Sequence, residues 1–324
     1  MASGIRKISW RSAVKNLYIW GILIIFIAVF TSINEKFLLP PSLINIVRTT
    51  APTILISSAA TMLMISGYID LSVGSIMGFC GVLFAILSKE GVPIWAGAIL
   101  MTLLGALFGL LNGLLTVKLK IPAVIATLAT MNILRGGAFL QCELYAQTTY
   151  IKGNLPKDFT FLGRGQILGF PVQVIFIIAI VAIFVIIEKR TLLGKYAIAL
   201  GGNRTAAELS GVNVPMISFT LFILVGVVSG LSATVYTSLL TIGDPWSGIG
   251  SELDVIIAIL LGGTSFAGGE GSVLGSLAGA FILGILGIGM NMIGVPSFFQ
   301  YVVKGIVLIL AILLDKFVKE RICE

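Results

Sequence analysis

Long apolar runs separated by short polar stretches dominate this chain. They fall near 17–33, 44–66, 71–87, 94–117, 121–140, 171–187, 216–241, 252–265, 272–292 and 297–314. Most approach the roughly 20 residues that a helix needs to cross a membrane and exceed the roughly 10 of a barrel strand. The pattern predicts an all-α fold, a polytopic transmembrane helical bundle of about ten spans that forms one domain over 1–324. Pro40, Pro41 and Ser42 turn the chain into the second run. The first run follows basic residues as a signal peptide would. No small-x-small cleavage site comes before the polar SINEKF, so an uncleaved span is expected.

One polar interruption stands out, AIALGGNRTAAELSGVNVP at 197–215. Asn203 can cap a helix, Arg204 to Ser210 supply about two turns, Gly211 can end it and Pro215 blocks continuation. So short a helix is unstable alone and needs something to pack on. A docking element for a cytosolic partner is the preferred reading, and a solvated loop is the alternative.

Charge then orients the bundle. An even span count places both termini on one side, and both ends are basic, with Arg6, Lys7, Arg11 and Lys15 at the front and Lys316, Lys319 and Arg321 at the back. Lys118, Lys120, Lys189, Arg190, Lys195 and Arg204 fall on the same side of the alternation. Only Lys36, Lys89, Lys152, Lys157 and Arg164 fall in the opposite segments. The positive-inside rule makes the basic side cytoplasmic. The net charge of +7 is thus a topology signal and no nucleic-acid partner is expected.

The chain also looks duplicated. Gly74-Ser75-Ile76-Met77-Gly78 recurs as Gly275-Ser276-Leu277-Ala278-Gly279, and Gly91-Val92-Pro93 as Gly294-Val295-Pro296. An acid, Asp70 or Glu270, precedes each copy of the first motif. With ten full spans the repeat is parallel. If a short segment such as 252–265 only half-crosses, it could be inverted, and both kinds build transporters. Gly105, Gly109 and Gly113, and likewise Gly226 and Gly230, put small residues on one helix face for close packing.

Charge inside a membrane is costly, roughly 2.5–3.5 kcal/mol at a helix centre on insertion scales. Asp70 lies in GYIDLSVGS, where Gly67 and Gly74 bracket a break between segments. Arg135 lies in the fifth segment, Glu252 and Asp254 open the eighth, and Lys304 lies in the tenth. Asp70, Ser72, Ser75, Asn132, Arg135, Glu252, Asp254 and Thr264 are the candidate translocation-pathway residues, with ion pairing or snorkelling as the structural alternative. The chain has no histidine, and Cys80, Cys142 and Cys323 share no metal-like spacing, so no catalytic residue and no metal site is assigned. GGTSFAGGEGS at 262–272 lacks the lysine that a phosphate-cradling loop needs. The chain should not hydrolyse ATP itself.

These segments resemble the permease subunit of a bacterial ABC importer of the ribose/xylose/galactoside sugar class. The resemblance rests on GYIDLSVGS at 67–75, IPAVIATLATMNILRG at 121–136, GNRTAAELSGV at 202–212, SELDVIIAILLGGTSFAGGEGSVLGS at 251–276 and GVPSFFQYVVKG at 294–305. It implies a single permease domain over 1–324 in the bacterial inner membrane, surrounded by lipid, with both termini cytoplasmic. It further implies a second permease copy, a cytosolic ABC ATP-binding subunit that uses the ATP, and a periplasmic sugar-binding protein that faces 141–170 and 243–251. Asn203, Arg204, Thr205, Ala206, Ala207, Glu208, Leu209 and Gly211 would form the helix that couples to the ATPase. No cofactor bound by this chain is implied. The rival is an ion-coupled secondary transporter, which needs a carboxylate deep in a span, for which Asp70 is the candidate.

Overall fold

A computed structural model of the protein describes residues 21, 23–152 and 157–323. Arg6, Lys7, Arg11, Lys15 and the beginning of the first apolar run lie outside them. The described residues are helical almost throughout, apart from a two-residue hairpin that pairs Gln166–Ile167 with Phe170–Pro171.

Each predicted apolar run coincides with a helix. They are α1 (Leu23–Ile33), α2 (Pro40–Ile65), α3 (Val73–Lys89), α4 (Ile94–Gly113), α5 (Ala123–Ala146) and α6 (Val172–Arg190). The polar interruption follows as α7 (Leu192–Gly202) and α8 (Arg204–Leu209). Then come α9 (Val214–Leu240), α10 (Ser251–Leu261), α11 (Val273–Met292) and α12 (Ser297–Cys323). Six of these are long and apolar enough to span a membrane: α2, α4 with its extension to Lys118, α5, α6, α9 and α11. Three apolar stretches within α1, α3 and α12 are shorter. The helix α10 has only 11 residues, about 17 Å at 1.5 Å per residue, which is half of a bilayer core. The protein is a polytopic helical membrane protein. In α4, α5 and α6 most residues are at least partly exposed, as in lipid-facing helices, whereas α2 and α11 are mostly buried.

Glycine sets the closest approaches. α4 and α9 touch through their backbones, because a Cβ on Gly105 would strike the Gly226 carbonyl and one on Gly226 the Gly105 carbonyl. The two copies of the repeated motif open α3 and α11. Gly74 lies against the Gly248 carbonyl just before α10, and Gly275 against the Gly262 carbonyl just after it. Both ends of the half-length helix are thereby held by one glycine motif each.

The two ends of the bundle differ. One carries α8, the connection 66–72 and the glycine-rich connection 262–272, joined where Gly201 packs on the Ile65 carbonyl and Gly269 N donates to Ile65 O (2.8 Å). The other carries residues 147–152 and 157–171 and the start of α4. There Lys89 Nζ donates to Lys152 O (3.3 Å), Arg164 Nε to Leu239 O (2.8 Å), and Ile151 bridges to Gly243.

Candidate functional site

The polar interruption folds as its residues dictate. The Asn203 side chain accepts from Ala206 N (2.9 Å), capping α8. Gly211 adopts a φ of +83°, and its N–H and that of Val212 return to Glu208 O and Ala207 O. Asn213 then caps α9 at Met216 N (3.1 Å). Within α8 the side chains divide. Ala207 is 4% exposed and turns into the protein, whereas Leu209 is 85% exposed. Thr205, Ala206 and Glu208 are exposed, and Arg204 and Glu208 form an exposed i,i+4 pair at 3.4 Å.

Arg204 also points back into the bundle. Its guanidinium donates to the Tyr68 hydroxyl and lies 5.8 Å from that ring's centroid. Tyr68 in turn packs on Phe222 of α9, with centroids 5.6 Å apart. α8 is thereby in contact with the 66–72 break. Sequence patterning offered no sign of this link.

The break lies where Gly67 and Gly74 predict it. α2 stops at Ile65, Gly67 takes a φ of +86° and α3 starts at Val73. Asp70 is 5% exposed in this connection. Its carboxylate accepts from Ser72 N (2.8 Å), Ser72 Oγ (2.6 Å) and Asn112 Nδ2 (3.0 Å). Among the described residues no basic side chain pairs with it. Burial pushes its pKa above the usual carboxylate range, and the hydrogen bonds from Ser72 and Asn112 oppose that rise. Asn112, inside the apolar LLGALFGLLNGLL, is the partner that sequence reading missed. Its polarity in a lipid-facing helix was the available signal. Directly after it, Leu114–Lys118 form a π-helical turn, a deviation that often marks functional positions.

The remaining pathway candidates divide. Arg135, Glu252 and Asp254 gather around residues 241–250, which do not stay on an outer turn. This segment runs inward along α3, with Gly243 beside Val82 and Ala85, the carbonyls of Pro245 and Ser247 beside Gly78, and Gly248 against Gly74. Non-helical backbone at that depth needs partners. Arg135 supplies them, donating to Pro245 O and to Ser247 O (2.8 Å). Lys304 of α12 pairs with Asp254 at 2.8 Å, the ion pair foreseen as the structural alternative. Glu252 Oε1 accepts from Gly250 N (3.2 Å).

Thr264 is buried in the glycine-rich connection, where its hydroxyl accepts from Ser272 N (3.3 Å). Ser75 is 1% exposed and its hydroxyl makes no hydrogen bond among the described residues. Asn132 stands apart on the exposed face of α5 and bonds only back to Leu128 O (2.9 Å). No group of three or more His, Cys, Asp or Glu that could hold a metal occurs among the described residues.

Residues 42–312 match the family described as branched-chain amino acid transport system / permease component. Among curated proteins, the chain is 39% identical to the ribose import permease protein of Bacillus subtilis over 91% of this chain and 90% of that one. It is 36% identical to the ribose import permease protein of Haemophilus influenzae, over 91% of each. It is 34% identical to the L-arabinose ABC transporter permease protein of Azospirillum brasilense, over 92% of this chain and 87% of that one. No solved structure matched.

Proposed function

The chain belongs to this permease family, and from that premise we propose that it is the membrane subunit of an ATP-driven sugar importer. A cytosolic ATP-binding subunit docks on α8, an extracytoplasmic binding protein delivers a monosaccharide such as ribose or arabinose, and a second permease copy completes the path. Residues 1–324 act as one transmembrane domain without an ATPase site of their own. The sugar class follows from the curated relatives, since the family description itself names amino acids.

The observation that carries the reading is α8, a capped six-residue helix that presents Leu209 to solvent and is tied through Arg204 to the 66–72 break. Closure of two ATPase subunits would move α8, and the break lets α2 and α3 shift against each other, which alternates access. The ion-coupled alternative gains no support from Asp70, whose carboxylate is engaged by Ser72 and Asn112.

Two measurements test this proposal. Purified in mild detergent after coexpression with its ATP-binding subunit, the chain should retain that subunit, and uptake of the sugar should stop when the ATPase cannot hydrolyse ATP. Uptake that persists and follows an ion gradient would refute the assignment. For orientation, the α8 end is cytoplasmic, as are both termini. A reporter active only in the cytoplasm should therefore be on when fused after Lys118 or Lys195 and off after Lys89 or Lys157. A reversed signal at any one site would overturn the topology.

A further inference from the structure

The re-entrant segment 241–250 lines a cavity of about 240 Å³ in the half of the bundle opposite α8. That is room for about eight waters at ~30 Å³ each, and less than the ~300 Å³ at which sites for drug-sized molecules begin. Its volume is of the order of one small solute.

Its walls are polar at selected points. Thr49 and Thr53 come from α2, Tyr236 from α9, Asp244, Trp246 and Ser247 from the re-entrant segment, and Asp254 from the first turn of α10. Ser247 is 6% exposed, yet its hydroxyl makes no hydrogen bond among the described residues, a costly arrangement unless something else bonds to it. Asp244 accepts from Trp246 N through Oδ1 (2.9 Å), and its other oxygen has no hydrogen bond among the described residues. The Trp246 ring packs edge-to-face on Phe139, with centroids 5.0 Å apart, which fixes the indole while leaving the residue 59% exposed.

No lysine or arginine lines the cavity. Lys304 is spent on Asp254, and Arg135 on the Pro245 and Ser247 carbonyls. Asp254 is already paired with Lys304, so the acceptor left for a solute is the second carboxylate oxygen of Asp244; hydroxyl groups find that acceptor and an aromatic face.

We propose that this cavity is a binding subsite, within the permease itself, for a neutral polyhydroxylated solute of monosaccharide size. Asp244, Tyr236 and Ser247 bond its hydroxyls, Trp246 forms its platform, and the Asp244 carboxylate disfavours phosphorylated sugars. The proposal rests on the chain being a sugar permease, and it adds that the permease selects its solute in addition to any choice made by a delivery protein.

The test is equilibrium binding of radiolabelled D-ribose, L-arabinose and D-xylose to the full chain in lipid nanodiscs, with no partner subunit present. At least one sugar should bind saturably, and excess D-ribose 5-phosphate should not compete. Asp244→Asn, which keeps the turn's acceptor, should weaken binding about tenfold through loss of a charge-assisted hydrogen bond. Trp246→Ala should weaken it at least as much. Absence of saturable binding by all three sugars, unchanged affinity in both variants, or competition by the phosphate ester would overturn the proposal. Retention of the ATP-binding subunit is scored separately. A chain that retains it but binds no sugar loses the subsite and keeps the permease assignment. A chain that binds sugar but does not retain the subunit keeps the subsite and loses the ATP-driven assignment.

Discussion

Leu209→Asp should abolish transport while the permease remains in the membrane at its normal level. The side chain is 85% exposed on α8, so the folded protein loses nothing that it buries. A partner that covers it loses about 1.5–3 kcal/mol of apolar burial, and it must also desolvate a carboxylate, which weakens binding by two orders of magnitude or more. The measurement is sugar uptake normalised to permease in the membrane, together with retention of the ATP-binding subunit. Leu209→Ala should show the same defect in milder form. Wild-type uptake and retention with aspartate would remove α8 from the interface. Ala207 is not an equivalent probe. At 4% exposure its methyl group packs inside the permease, and a larger residue there damages the subunit before any interface is tested.

Asp70→Leu should have the other large effect. Leucine removes the acceptor for Ser72 N and Ser72 Oγ at a site only 5% exposed, and leaves Asn112 Nδ2 with its bond to Ser72 Oγ (2.8 Å) alone. Each stranded donor costs about 1–3 kcal/mol, so either the amount of folded permease or its uptake should collapse. Asp70→Asn keeps an acceptor for Ser72 but faces one amide with another, so the fold should survive with uptake reduced about tenfold. Moving the carboxylate across the pair, as Asp70→Asn with Asn112→Asp, should recover part of that loss. A cycle of the four proteins, each scored by uptake per membrane-inserted permease, measures the coupling. Full uptake with leucine at 70 would show that the break does not depend on this carboxylate. No recovery in the double variant would show that Asp70 acts without Asn112.

Much of the fold was legible because it depends on neighbours in sequence. Apolar runs of helical length became helices, and the cap-and-stop residues Asn203, Gly211 and Pro215 bounded α8 within a residue. Gly67 marked the end of α2, because the left-handed turn there suits glycine. The repeated glycine motif was visible as a pattern, and its meaning was not. That its copies hold the two ends of α10 depends on where Gly248 and Gly262 lie.

The site was less legible, for a reason that belongs to membrane proteins. A helix that is apolar all round has no hydrophobic stripe to say which face meets the core. Nothing local separates Asn112, buried against Asp70, from Asn132, exposed on α5. The descent of 241–250 into the bundle was hidden too, since a glycine- and proline-containing stretch reads as a surface turn until an arginine from α5 is found holding its carbonyls. The sequence by itself determined the helices, their stops and the capped helix α8, because hydrophobic length, capping and backbone freedom act within a few residues. Only the tertiary structure decided which polar groups meet, such as Asp70 with Asn112 across 42 residues and Arg135 with Ser247 across 112, because a buried donor in a membrane bonds to whatever acceptor packing brings within 3 Å.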